Sequence, residues 1–124
     1  MKEIAIVFAG GGLGAAARYL LSGAVYNLIG FQFPYGTLVV NSLGCFFIGF
    51  LMSLLSERFI VDPGLRLFLT VGILGGFTTY STFSYETIQL LRDSQHISAI
   101  MNVLGTTVVC LVATWVGLII GKQI

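Results

Sequence analysis

The sequence predicts an all-α membrane protein with four transmembrane helices, the third of them broken near Gly75-Gly76. Three observations predict it. The 124 residues are 56 % hydrophobic and 9 % charged, with a mean hydropathy of +0.98, a balance that excludes an ordinary soluble domain. The apolar residues gather into four runs separated by short polar stretches. A span needs about 20 mostly apolar residues, so the expectation is a single four-helix transmembrane domain over residues 1–124, with no separate soluble domain. Thirdly, the stretch Gly72 to Glu86 combines a glycine pair, hydroxyl residues, aromatics and a carboxylate inside a long apolar segment. Lipid does not tolerate that mixture, because backbone groups freed at a break must be buried in protein or line a wet cavity.

Span one is expected over residues 4–29. Lys2 and the apolar run behind it imitate a signal peptide, but the run is too long, so it reads as a retained span. Gly12, Gly14 and Ala17 satisfy the dinucleotide fingerprint G-x-G-x-x-A. The context does not, since no βαβ unit follows and the next carboxylate is Glu57. Gly10, Gly14 and the alanines read instead as a surface for close helix approach. Arg18 sits mid-span, where an arginine costs roughly 2.5 to 3.5 kcal/mol. Its expected role is to face a polar cavity or to cap free carbonyls, the alternative being that it snorkels to an interface.

Gly30 to Gly36 reads as a turn, with Thr37 as N-cap of span two, residues 37–55. Thr37, Asn41, Cys45, Gly49 and Ser53 recur at i+4 and form one small, polar stripe. An uncompensated amide in hydrocarbon is expensive, so Asn41 either bonds a neighbouring helix or offers its NH2 to something that moves. Ser56 to Gly64 reads as an aqueous loop. Asp62-Pro63 reads as an N-cap with proline at the first helical position, opening span three over residues 63–91 with its break at 75–78. His96 reads as a solvated loop residue, since no other His or Cys stands at metal spacing. Span four is expected over residues 98–120, with Ser98, Asn102, Thr106, Cys110 and Thr114 as a second i+4 track. Back-bonding to the i−4 carbonyl is the bland reading of its hydroxyls.

The polar groups inside the spans are mostly neutral groups and donors: Asn41, the hydroxyls of Thr78, Thr79, Ser81, Thr82, Thr106 and Thr114, and Arg18. They favour an anion as the permeating species. Tyr80 and Phe83 are three apart, and ring edges attract anions; core packing is the alternative. Carbonyls released at a break can hold Na+. Glu86 reads as a proton carrier, a partner for Arg18 or a gate. The net charge of +1 carries no basic patch pointing to nucleic acid. No nucleophile with a base, no pair of membrane carboxylates and no metal motif is present, so the sequence does not read as an enzyme.

Three stretches carry a resemblance: P-Y-G-T-L-V-V-N-S-L-G (Pro34 to Gly44), G-I-L-G-G-F-T-T-Y-S-T-F-S (Gly72 to Ser84) and G-G-x-G-A-x-x-R (Gly11 to Arg18). They closely resemble the Fluc family of fluoride channels, also called CrcB, along all four spans. The resemblance implies a multi-pass protein of the cell (inner or plasma) membrane, an antiparallel dual-topology homodimer in the lipid bilayer, and passive export of the fluoride ion. It also implies a central structural Na+ held by the backbone carbonyls of Gly75 and Thr78. Tyr80 and Phe83 would line the pores and Asn41 would face fluoride. Thr106, Cys110 and Thr114 would form the polar track, with Glu86 near it and Arg18 near the vestibule; Ser81 and Thr82 complete the expected ion pathway. Two residues depart from the family pattern, Tyr80 where many members have phenylalanine and Cys110 in place of a hydroxyl.

Charge counting puts Lys2, Arg58, Arg66 and Lys122 on one side and Arg92 on the other, a modest bias toward cytoplasmic termini. A paired, oppositely inserted paralogue is the alternative to a homodimer. Two other functions compete with the channel. A proton-coupled four-helix exporter needs a carboxylate deep in span one, where only an arginine stands. A non-transporting scaffold would use the glycines and hydroxyls as helix glue alone.

Overall fold

The structure, a computed structural model, describes residues 1–58 and 61–124. Two residues of the expected loop Ser56 to Gly64, Phe59 and Ile60, lie outside that range. Helix α1 covers Lys2–Ile29 and α2 covers Tyr35–Ser53, extended by a π-helical turn over Leu54–Arg58. The third segment comprises α3 (Pro63–Leu67), a π-helical stretch (Phe68–Leu74), α4 (Gly75–Phe77) and α5 (Tyr80–Arg92). Helix α6 covers His96–Gln123. Four helical segments, Lys2–Ile29, Tyr35–Ser56, Pro63–Arg92 and His96–Gln123, are long and apolar enough to cross a membrane.

The helix ends follow local chemistry. Gly30, at φ 106°, ends α1 in a conformation that favours glycine, and its amide bonds the Tyr26 carbonyl at 2.8 Å. Asp62 caps α3 by accepting from the Leu65 amide at 3.1 Å, with Pro63 at the first helical position. Two end assignments change. Pro34, not Thr37, precedes the first residue of α2, and the Thr37 hydroxyl is used elsewhere. His96 is the first residue of α6 and exposed, since the turn after α5 is closed tightly by Gln95 N–H donating to the Leu90 carbonyl at 2.8 Å.

The glycine pair behaves differently from expectation. Gly75 and Gly76 are helical, and the residues with extended backbone are Thr78 (φ −80°, ψ 154°) and Thr79 (φ −148°, ψ 119°). The reason is packing. A Cβ on Gly76 would stand 2.5 Å from the Gly11 carbonyl oxygen, so its missing side chain is used for helix approach rather than for backbone freedom.

The same device builds both main seams. Gly10 and Gly14 of α1 lie against the backbone of Phe68, Gly72, Ile73 and Phe77. Between α2 and α6, Gly49 meets the Thr114 carbonyl, Gly117 meets the Phe46 carbonyl and Gly121 meets Phe50 and Ser53. Residue numbers rise together along that seam, so α2 and α6 run parallel, as alternating spans must. The fully buried side chains are few and small or polar, Val40 at 0 % and Asn102 at 2 % exposure, whereas Phe8 (83 %) and Leu28 (86 %) point outward. Large apolar groups outside and small groups inside suit a chain whose surrounding solvent is lipid.

Candidate functional site

Thr78 and Thr79 are the centre from which the site is built. An extended pair between two helices leaves amides and carbonyls without helical partners, and in a membrane each needs a substitute. Asn41 of α2 supplies two for Thr79. Its Nδ2 donates to the Thr79 carbonyl at 2.9 Å and its Oδ1 accepts from the Thr79 amide at 2.8 Å. The amide anticipated as bonding a neighbour or meeting a mobile species is thus bonded to a neighbouring segment's backbone. Helix α5 then restarts with Thr79 as N-cap, its Oγ1 accepting from the Thr82 amide at 3.2 Å and donating to Thr82 Oγ1 at 3.1 Å. Ser81 Oγ lies 3.3 Å from Thr79 Oγ1.

These substitutions free particular carbonyls. The Thr79 amide, which would bond the Gly75 carbonyl in a continuous helix, is taken by Asn41. The Thr82 amide, which would bond the Thr78 carbonyl, is taken by the Thr79 hydroxyl. Gly76 has its own substitute: Arg18 Nε donates to its carbonyl at 3.2 Å. Of the roles weighed for Arg18, capping a helix-end carbonyl is the one its geometry displays.

A cavity of about 430 Å³ opens beside the extended pair. Asn41, Gly75, Thr78, Tyr80, Phe83, Thr106 and Cys110 line it, together with Thr79. Phe83 is 8 % exposed and Tyr80 80 % exposed, with ring centroids 5.4 Å apart. Of the remaining residues anticipated for the pathway, Arg18, Ser81, Thr82, Glu86 and Thr114 are not among the cavity's lining residues. Thr114 bonds back to the Cys110 carbonyl at 3.1 Å, the bland reading for that residue. Glu86 is held by α1 and α2: its carboxyl accepts from the Tyr26 and Thr37 hydroxyls, which themselves lie 3.3 Å apart. An ion pair between Glu86 and Arg18 is absent among the described residues.

Two groups escaped the sequence reading. Thr107 and Thr70 line the cavity although they fall off both i+4 tracks. Thr87, left unassigned, receives the Asn102 side-chain amide at 2.8 Å, and Thr106 donates to Asn102 at 3.1 Å, forming a buried relay between α5 and α6. The i+4 track of α6 signalled Asn102 and Thr106; no local pattern signalled their partner across the helix seam.

Comparison with known proteins matches residues 5–118 to the family model of CrcB-like protein, Camphor Resistance (CrcB). The chain belongs to the CrcB family. Among its CrcB relatives, the protein of Geobacter sulfurreducens is 48 % identical over 124 residues, covering 100 % of both chains. That of Pelobacter propionicus is 50 % identical, covering 98 % of this chain and 92 % of its own. That of Trichlorobacter lovleyi is 53 % identical, covering 94 % and 90 %. All three bear the name fluoride-specific ion channel FluC. With four membrane-capable helices and this family, the chain is a multi-pass protein of the cell membrane.

Proposed function

We propose that this CrcB protein is a fluoride-selective channel that passively exports fluoride through the cavity beside Thr78 and Thr79. The observation that carries the reading is the cavity itself, in which an amide, hydroxyls and two aromatic rings converge on an extended backbone pair inside a membrane span. The names of its relatives supply the ion. Fluoride entering as neutral HF ionises inside the cell, and an open anion path driven by the membrane potential lowers its internal level. Selectivity needs donors and ring edges to replace the shell of one small anion while offering too few donors for a larger one.

In this reading the third span is one transmembrane segment broken at Thr78 and Thr79, and two chains assemble antiparallel. Tyr80 supports an assembly, because a ring 80 % exposed beside the cavity leaves one wall open in a single chain. Asn41, Tyr80, Phe83 and Thr106 touch the ion first; Cys110 offers a weaker thiol donor. Ser81, Thr82, Thr114 and Glu86 flank that path, and Arg18 adds fixed positive charge. The carbonyls of Gly75 and Thr78, two residues that line the cavity, are both deprived of their helical amides and fit a hard cation with oxygen ligands such as Na+. Bound there, the cation would hold two chains together and offset negative carbonyl dipoles near the anion path.

The test is fluoride release from liposomes loaded with potassium fluoride, started by valinomycin and read by an external electrode beside a chloride-loaded control. Fast fluoride release without chloride release is the expected outcome. Equal release of both anions would overturn selectivity, and no release from well-folded protein would overturn homomeric channel function.

A further inference from the structure

The chain's two cysteines, Cys45 and Cys110, come from different spans, and the helix seam brings them together. Gly49 of α2 lies against Thr114 of α6. One helical turn earlier on each of these parallel helices stand Cys45 and Cys110, and the next turn back holds Asn41 and Thr106. All four of those residues line the same cavity. The two thiols are half-buried and free, one turn from the close Gly49–Thr114 contact on facing helices.

We propose that Cys45 and Cys110 form a two-thiolate site for a soft, divalent d10 cation of the Hg2+ class, opening into the cavity. Thiolates select soft metals. Zn2+ in a closed site needs four ligands, and no cluster of three or more His, Cys, Asp or Glu occurs among the described residues. A cation satisfied by two opposed sulfurs is therefore the class that fits. Charge favours it as well. Each thiol loses its proton to solvent, two S–Hg bonds form, and the resulting S–Hg–S bridge is neutral, with no change of oxidation state. A neutral bridge avoids the penalty of burying a charge in apolar surroundings. Bridging ties α2 to α6 within the cavity lining, one turn from Asn41 and Thr106, so occupancy obstructs the cavity. That last consequence rests on the channel reading above; the binding does not.

The probe is Hg2+ itself, added to reduced, purified full-length protein and followed by gel filtration with metal analysis in the presence of excess monothiol. The expected result is one Hg2+ retained per wild-type chain. Losing one sulfur removes the intramolecular second contact, so Cys45→Ser and Cys110→Ser should each bind about 100-fold more weakly or worse. Cys45→Ala and Cys110→Ala, run alongside on the same column, control for misfolding. Two Hg2+ per chain, equal retention by the single variants, or no retention would overturn the site. Fluoride release adds the second readout: Hg2+ should block wild-type protein, a dithiol should relieve the block, and Cys45→Ser should be insensitive. Retention with undiminished flux would overturn the obstruction while leaving the dithiolate. Absence of flux before any metal is added would count against the channel reading alone.

Discussion

Asn41 is the residue on which the site depends most directly. It replaces both helical bonds of an extended threonine, and a buried polar group left unpaired costs about 1–3 kcal/mol. Asn41→Leu removes a donor and an acceptor at once. It should lower the thermal midpoint in detergent and reduce fluoride release by more than tenfold. Asn41→Asp keeps the acceptor for the Thr79 amide but loses the donor to the carbonyl, so its midpoint should fall between wild type and Asn41→Leu. If the two variants were equally stable, the donated bond would carry no weight. Tyr26 makes a second residue-scale case, since its hydroxyl and that of Thr37 both bond the Glu86 carboxyl. Tyr26→Phe should destabilise by about 1–3 kcal/mol, measured by thermal unfolding, with far less effect in a Glu86→Leu background because the shared partner is already gone.

Glycines govern the elements. Gly14 faces the Ile73 carbonyl and the Phe77 amide, and neither backbone atom can swing away as a side-chain tip could. Gly14→Val should therefore separate α1 from the third segment, seen as loss of the monodisperse gel-filtration peak. Gly23 meets nothing within 4 Å. Gly23→Ala should leave that peak intact and favour the helix by up to about 1 kcal/mol. The contrast matters because both glycines lie in one helix of similar composition, and only their neighbours differ. The third segment adds a further feature of this scale. Its π-helical stretch over Phe68–Leu74 contains Thr70, whose hydroxyl takes the Arg66 carbonyl at 2.8 Å. A hydroxyl on that carbonyl competes with the amide ladder, and π-helical turns often accompany functional sites.

At the scale of the whole molecule, many large apolar side chains are exposed, as suits a chain in lipid. An antiparallel homodimer makes a specific forecast. A single cysteine added at the N-terminus of a Cys45→Ala/Cys110→Ala background should be labelled by an impermeant maleimide to about half in intact cells, the remainder only after permeabilisation. The half is the consequence of equal insertion in both orientations, against the modest bias of Lys and Arg toward cytoplasmic termini. Complete labelling, or none, would exclude the dual-topology homodimer and favour a separate partner chain.

Helix number and approximate bounds were legible in the sequence because apolar length is a local property. The cap at Asp62 and the turn at Gly30 depend on neighbouring residues alone. The glycine pair reads as the place of a break, but the residues with extended backbone are Thr78 and Thr79. The glycines announce weak helix propensity, whereas Gly11 on another helix decides that Gly76 is used for packing. Asn41 announces an amide that must be bonded, and its own sequence neighbourhood cannot say to what.

The sequence by itself determined a four-span membrane chain, the polar residues that hydrocarbon would not accept unpaired, and membership of a family through motifs spread over its length. Only the tertiary structure decided where those polar groups are satisfied: Asn41 on Thr79, Arg18 on Gly76, and Glu86 on Tyr26 and Thr37. The physical reason is that span formation is driven by local hydrophobicity and intrasegment hydrogen bonds. The pairing of polar groups between spans depends instead on how closely glycine-lined helices approach and in which register, and that is a property of two segments at once.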